Sequence, residues 1–108
     1  MQAELCKLTD IDDPGARAFE LENRSIFIVR QGSDVQGYIN SCPHRGVRLE
    51  WQPDQFLDYE KQYIQCSTHG ALFKISDGLC VVGPCNGQRL EAIECQVIAG
   101  SVMINQPD

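Results

Sequence analysis

Histidine occurs only twice in the 108 residues, and tryptophan once. Long apolar runs are missing as well. The longest uninterrupted aliphatic and aromatic stretch is Ile26-Phe27-Ile28-Val29, far short of the roughly 20 residues that a spanning helix needs. No membrane association is therefore expected. Positive charge is in deficit: 9 Lys and Arg stand against 15 Asp and Glu, a net charge of -6. Phosphate backbones would be repelled by such a surface, which argues against a nucleic-acid partner. The same acidity suits either plain solubility or docking on a basic patch of a partner protein. Met1 to Lys7 shows no basic segment followed by an apolar one, so no secretory signal is read there. A cytoplasmic location is the expectation, and thiols stay reduced in that compartment.

What is present is cysteine, six in all. In a reducing compartment six cysteines read as ligands plus spares, not as a disulfide framework. The length suits one domain, 1–108, with a core of modest size. Turn signals break the chain into short segments of strand character. Glu4 to Leu8, Arg17 to Leu21, Ile26 to Val29, Val35 to Asn40, Tyr63 to Gln65, Leu72 to Ile75, Leu79 to Val82, Arg89 to Ile98 and Ser101 to Asn105 are the predicted strands. The β-branched and aromatic run at 26–29 predicts a strand buried on both faces. Asp12-Asp13-Pro14-Gly15, Gln31 to Asp34 and Ala99-Gly100 are predicted turns, and Ser76-Asp77-Gly78 is a hairpin tip. Residues 45–61 read as loop, with room for a helical turn or a short strand. The fold class is all-β, a sandwich or barrel.

Both histidines sit beside a cysteine. Cys42-Pro43-His44-Arg45-Gly46 and Cys66-Ser67-Thr68-His69-Gly70 each follow a predicted strand and each contain a glycine that permits a tight turn. Two thiolates and two imidazoles on two loops ask for a metal centre. Cys42, His44, Cys66 and His69 are the candidate ligands. Structural zinc is one reading of such a set. Zinc fingers, however, commonly gather like ligands in pairs, whereas here each loop gives one thiolate and one imidazole. A two-iron cluster with both cysteines on one iron and both histidines on the other suits that distribution.

The pattern Cys42-x-His44…Cys66-x-x-His69-Gly70 resembles the two boxes of the Rieske [2Fe–2S] family. Phe73, Asp77-Gly78 and Gly83-Pro84 resemble the continuation of the second box. The resemblance runs from about Leu5 to Ile104. It implies a β-sandwich or barrel with a small cluster-binding subdomain. That subdomain would consist of loops at about 41–49 and 65–73 and a covering loop at about 83–87 that includes Pro84. It implies one [2Fe–2S] cluster per chain, with Cys42 and Cys66 on one iron and His44 and His69 on the other. Cytochrome bc-type members carry a further cysteine in each box, joined as a disulfide. Val47 and Thr68 occupy those positions here. Such members also place a serine and a tyrosine after the second box, where this chain has Ala71 and Phe73. These differences point to the low-potential soluble class, the Rieske-type ferredoxins. The twenty-one residues from 45 to 65 form a longer interval than is usual in that class.

The resemblance implies a one-electron carrier rather than an enzyme. A flavin-dependent reductase would load it, and an oxygenase or other redox enzyme would accept the electron. A Rieske-like small subunit of a larger reductase, of the nitrite reductase type, is the alternative, and a structural Cys2His2 zinc module is a third. Arg45 and Arg48 are either solvated or guide docking. Cys6, Cys80, Cys85 and Cys95 read as small hydrophobes, with a Cys80–Cys85 disulfide, redox sensing or a second metal as the functional readings. Trp51 either packs in the core or forms a docking surface.

Overall fold

The computed structural model describes residues 2–21, 24–41, 49, 56–58, 60–66, 71–83 and 87–105. Ten strands run through them: β1 (Gln2–Lys7), β2 (Gly15–Leu21), β3 (Arg24–Gln31), β4 (Asp34–Ile39), β5 (Tyr63–Gln65), β6 (Leu72–Lys74), β7 (Cys80–Val82), β8 (Ala92–Ile93), β9 (Cys95–Ile98) and β10 (Ser101–Asn105). A 3₁₀ turn at Leu8–Asp10, which the sequence reading did not foresee, is the one helical piece among the described residues. The strands form three antiparallel sheets, ordered β1-β10-β9, β2-β3-β4-β8 and β5-β6-β7.

The four-stranded sheet is the frame for everything else. Side chains alternate across a strand, and here both faces are buried. Phe27 and Val29 of β3 and Tyr38 of β4 face a front core with Leu49, Phe56, Ile64, Cys66, Phe73 and Leu90. Ile26 and Ile28 face a rear core with Ile11, Val102 and Ile104. All four residues of the 26–29 run are wholly buried, as the unbroken apolar run predicts. The rear core joins the β1-β10-β9 sheet to the frame as a sandwich. The front core joins the small β5-β6-β7 sheet to it. Phe27 and Phe56 stack with ring centroids 4.3 Å apart and planes within 8°. Such a pair is worth about 0.5–1.5 kcal/mol beyond its buried area.

Phe56 lies in the stretch read as loop. Gln65 N–H donates to Phe56 O at 2.8 Å and Leu57 bridges Ile64, so 56–58 extends the small sheet beyond β5. The Asp58 carboxylate accepts the N–H groups of Gln62 and Tyr63 and turns the chain back into β5.

One predicted strand is divided. Arg89 to Ile98 breaks at Glu94 into β8, which pairs with β4, and β9, which pairs with β10. Apolar alternation continues through the break because Ile93 and Cys95 both pack on the rear core. Periodicity alone therefore cannot reveal that the partner strand changes. The remaining predicted strands are found, with ends moved by a few residues. The Ala99-Gly100 turn has φ of 51° and 80°, the left-handed pair that a two-residue hairpin demands.

Candidate metal centre

β4 delivers the chain to the first cysteine–histidine stretch. Tyr38 of β4 faces the front core, and Asn40, one residue past the strand, bonds to Leu49 of that same core. Just past Ile39 the direction changes, as Ser41 N–H donates to Ile39 O at 2.9 Å across a three-residue turn. Asn40 is buried, 5% exposed. Its backbone N–H donates to Ser25 O at 2.9 Å, and its side-chain Nδ2 donates to Ser25 Oγ at 3.2 Å. Its Oδ1 accepts the N–H of Leu49 at 2.9 Å. Residues on either side of 41–48 are thus tied together by one side chain.

β5 delivers the chain to the second stretch. Cys66 follows its last residue, is wholly buried and is in no disulfide. Cys66 N–H donates to Ala71 O at 2.8 Å, closing the chain across 67–70. Ala71 and Phe73 are buried and carry no hydroxyl. Beyond them, β6 turns into β7 through Ile75 to Gly78. Gly78 takes φ of 73°, where a Cβ would lie 2.9 Å from Tyr38 Cε1. Glycine is required there on both counts. The Tyr38 hydroxyl donates to Ile75 O at 2.6 Å, so β4 also holds this hairpin. Burial, and then the charges of Asp77 and Cys95, push the Tyr38 phenol up to about 12.

The chain on either side of 84–86 is tied together. Cys80 N–H donates to Gln88 O at 2.8 Å, and Gly87 N–H donates to Cys80 O at 3.1 Å. Gly83 lies so near the second stretch that a Cβ there would meet Ala71 Cα at 2.9 Å. Leu49 after the first stretch, Cys66 and Ala71 at the two ends of the second, and Cys80 at the base of the third segment belong to a single buried cluster. The folded chain therefore brings the bases of the three segments together.

Of the four candidate ligands, Cys66 alone is among the described residues; it directly follows β5 and is wholly buried. Cys42, His44 and His69 lie outside the described residues, as do Arg45, Val47, Arg48, Trp51, Thr68, Pro84 and Cys85. Among the described residues, accordingly, no three metal-ligating side chains gather. The described part of the site fits an iron–sulfur group. It offers a shielded thiol on a fixed backbone, next to the hydroxyl-free Ala71 and Phe73, and thiolate is the donor such clusters take.

A family model, the Rieske [2Fe–2S] domain, matches residues 2–100. The chain belongs to the Rieske [2Fe–2S] family. Its cofactor is a [2Fe–2S] cluster of the Rieske type. Solved structures agree on the fold. The ferredoxin of carbazole 1,9a-dioxygenase from Nocardioides aromaticivorans IC177 superposes with a TM-score of 0.81 at 20% identity, over 99% of both chains. A ferredoxin in complex with its oxygenase in carbazole 1,9a-dioxygenase gives a TM-score of 0.79 at 22% identity, over 95% of this chain and 91% of that one. The terminal oxygenase of carbazole 1,9a-dioxygenase from Novosphingobium sp. KA1 gives 0.81 at 20% identity, but over only 30% of its own chain. No curated protein matches. Among the described residues no helix is long and apolar enough to cross a membrane.

Three further cysteines, Cys6, Cys80 and Cys95, are among the described residues. Cys6 and Cys95 are half-buried against the rear core and are in no disulfide. Burial pushes the Cys95 thiol up to about 11. The Cys80 thiol donates to Val82 O at 3.3 Å. Two residues that shape the site were not singled out from sequence: Tyr38 and Asn40. No motif marks them; their roles come from contacts with Leu49 and Ile75, which are distant in sequence.

Proposed function

We propose that this chain is a one-electron carrier that takes electrons from a flavin-dependent reductase and gives them to an oxygenase or other redox enzyme. The observation that carries the proposal is the extent of the match. A ferredoxin component is covered over 99% of both chains, whereas a terminal oxygenase is covered over 30% of its own. The matching complexes pair a ferredoxin with the oxygenase of carbazole 1,9a-dioxygenase, and the same kind of pairing is assigned here. The cluster-binding part comprises about 41–49 and 65–73, with 83–87 beside them. Cys42 and Cys66 hold one iron, and His44 and His69 hold the other.

When bound, the cluster supplies a centre that gains and loses one electron at a time. The protein's own residues set the conditions. Cys66 keeps its sulfur out of water. Ala71 and Phe73 offer no hydroxyl to the ligand sulfurs, so the potential stays low in the Rieske range, near roughly −150 mV. The net charge of -6 favours encounter with a basic face on the reductase and the oxygenase.

Anaerobically purified protein is expected to be red-brown, to give a rhombic EPR signal on reduction, and to pass electrons from a flavin reductase to an oxygenase in a stopped-flow assay. A colourless protein holding one zinc per chain overturns the cluster assignment. A potential well above zero at neutral pH overturns the low-potential carrier.

A further inference from the structure

The two cysteine–histidine stretches are closed at their bases in different ways. The second spans few enough residues that a strand-like backbone bond, Cys66 N–H to Ala71 O, closes it. The first is longer, and its closure runs through a side chain, the Asn40 Oδ1 that accepts Leu49 N–H at 2.9 Å. We propose that Asn40, backed by Ser25, is the positioning residue that fixes the first ligand stretch against the second. This rests on reading Cys42 and His44 as cluster ligands.

Three observations support the assignment. A buried primary amide is costly unless its bonds are made, and Asn40 is 5% exposed in a core otherwise of apolar residues. Its bonds run in two directions. One reaches forward to Leu49, which belongs to the same buried cluster as Cys66 and Ala71. The other reaches back to Ser25, held in register on β3 opposite Glu20. Finally, Tyr38 lies two residues earlier and grips the hairpin after the second stretch through Ile75 O. Tyr38 in β4 and Asn40 just past its end therefore each hold one of the two segments. An apolar side chain at position 40 would fill the space and leave the Leu49 N–H without that acceptor.

The test compares holoproteins: wild type, Asn40→Ala, Asn40→Asp, Ser25→Ala and, as a control in the rear core, Val102→Ala. Cluster loss is followed by visible absorbance under an iron chelator, and the reduced centre by EPR. Asn40→Ala is expected to lose the cluster about tenfold faster, as removal of one buried bond implies, with shifted g values. Asn40→Asp keeps an acceptor for the Leu49 N–H, and the Ser25 hydroxyl rotates to donate to it, but it buries a carboxylate, so its loss rate is expected between those of Asn40→Ala and wild type. Val102→Ala unfolds more readily yet keeps the wild-type EPR signal. An Asn40→Ala protein with that same signal, and no faster loss than Val102→Ala, overturns the proposal. Where Asn40→Ala does not accumulate folded, Ser25→Ala decides: about threefold faster loss with shifted g values supports the assignment, and wild-type behaviour overturns it. A wild-type protein without a rhombic signal removes the carrier reading itself, a result separate from any outcome among the variants.

Discussion

Replacing Tyr38 with phenylalanine removes one oxygen atom, and the structure says what that oxygen does at each pH. At pH 8 the hydroxyl is neutral and donates to Ile75 O at 2.6 Å from a side chain 1% exposed. Its removal leaves a buried carbonyl without this donor, at a cost of about 1–2 kcal/mol. Above pH 10 the balance changes. The phenol sits at about 12 in the folded protein, against an ordinary 10.0, mainly through burial. The unfolded chain therefore loses this proton first. Stability falls as pH rises past 10, by about 1.4 kcal/mol at pH 11 and by roughly 2–3 kcal/mol by pH 12. Phenylalanine has no such proton. The advantage of wild type over Tyr38→Phe should thus shrink above pH 10 and vanish near pH 11. Urea midpoints from far-UV circular dichroism, taken on both holoproteins side by side from pH 8 to 11, measure that difference, and contributions common to the two proteins cancel. A gap that stays constant across the range, or a variant already more stable at pH 8, would refute the account of this hydroxyl.

Cys66→Ser should abolish visible absorption and bound iron while the far-UV spectrum keeps its strand character, and retained iron would remove Cys66 from the ligand set. Gly78→Ala places a methyl 2.9 Å from Tyr38 Cε1 at a φ of 73°; a loss of about 2–3 kcal/mol in urea unfolding is expected. Arg30 donates to the carbonyls of Leu8, Ile11 and Gly32, so Arg30→Met should cost about 2 kcal/mol and release the Ile11 amide early in hydrogen exchange. With its thiol pushed up to about 11 from 9.0, Cys95 should alkylate roughly a hundredfold more slowly in the folded protein than in urea at pH 8, by mass spectrometry.

The legible part of this fold is the part written in strict alternation and turn chemistry. The 26–29 run announced a strand covered on both faces, and Asp77-Gly78 announced a hairpin. Both follow from local sterics and burial, which a few neighbouring residues determine. The break at Glu94 was hidden because both half-strands pack on the same core while exchanging hydrogen-bond partners. Phe56 was hidden for a related reason. Its place against Phe27 depends on a contact between distant residues, and nothing periodic surrounds it. At the site, the cysteine–histidine spacing pointed to the metal chemistry, and the family match agrees with it. The supports did not show. Asn40 and Tyr38 carry no motif, and their roles arise only once β4 is laid against Leu49 and Ile75.

β3 separates two interiors with side chains of opposite parity. Ile26 and Ile28 belong wholly to the rear interior, Phe27 and Val29 wholly to the front. A lineage could therefore remodel the front interior while leaving the back untouched, provided that odd and even positions of this strand were varied independently. The dividing wall is what makes the scaffold reusable.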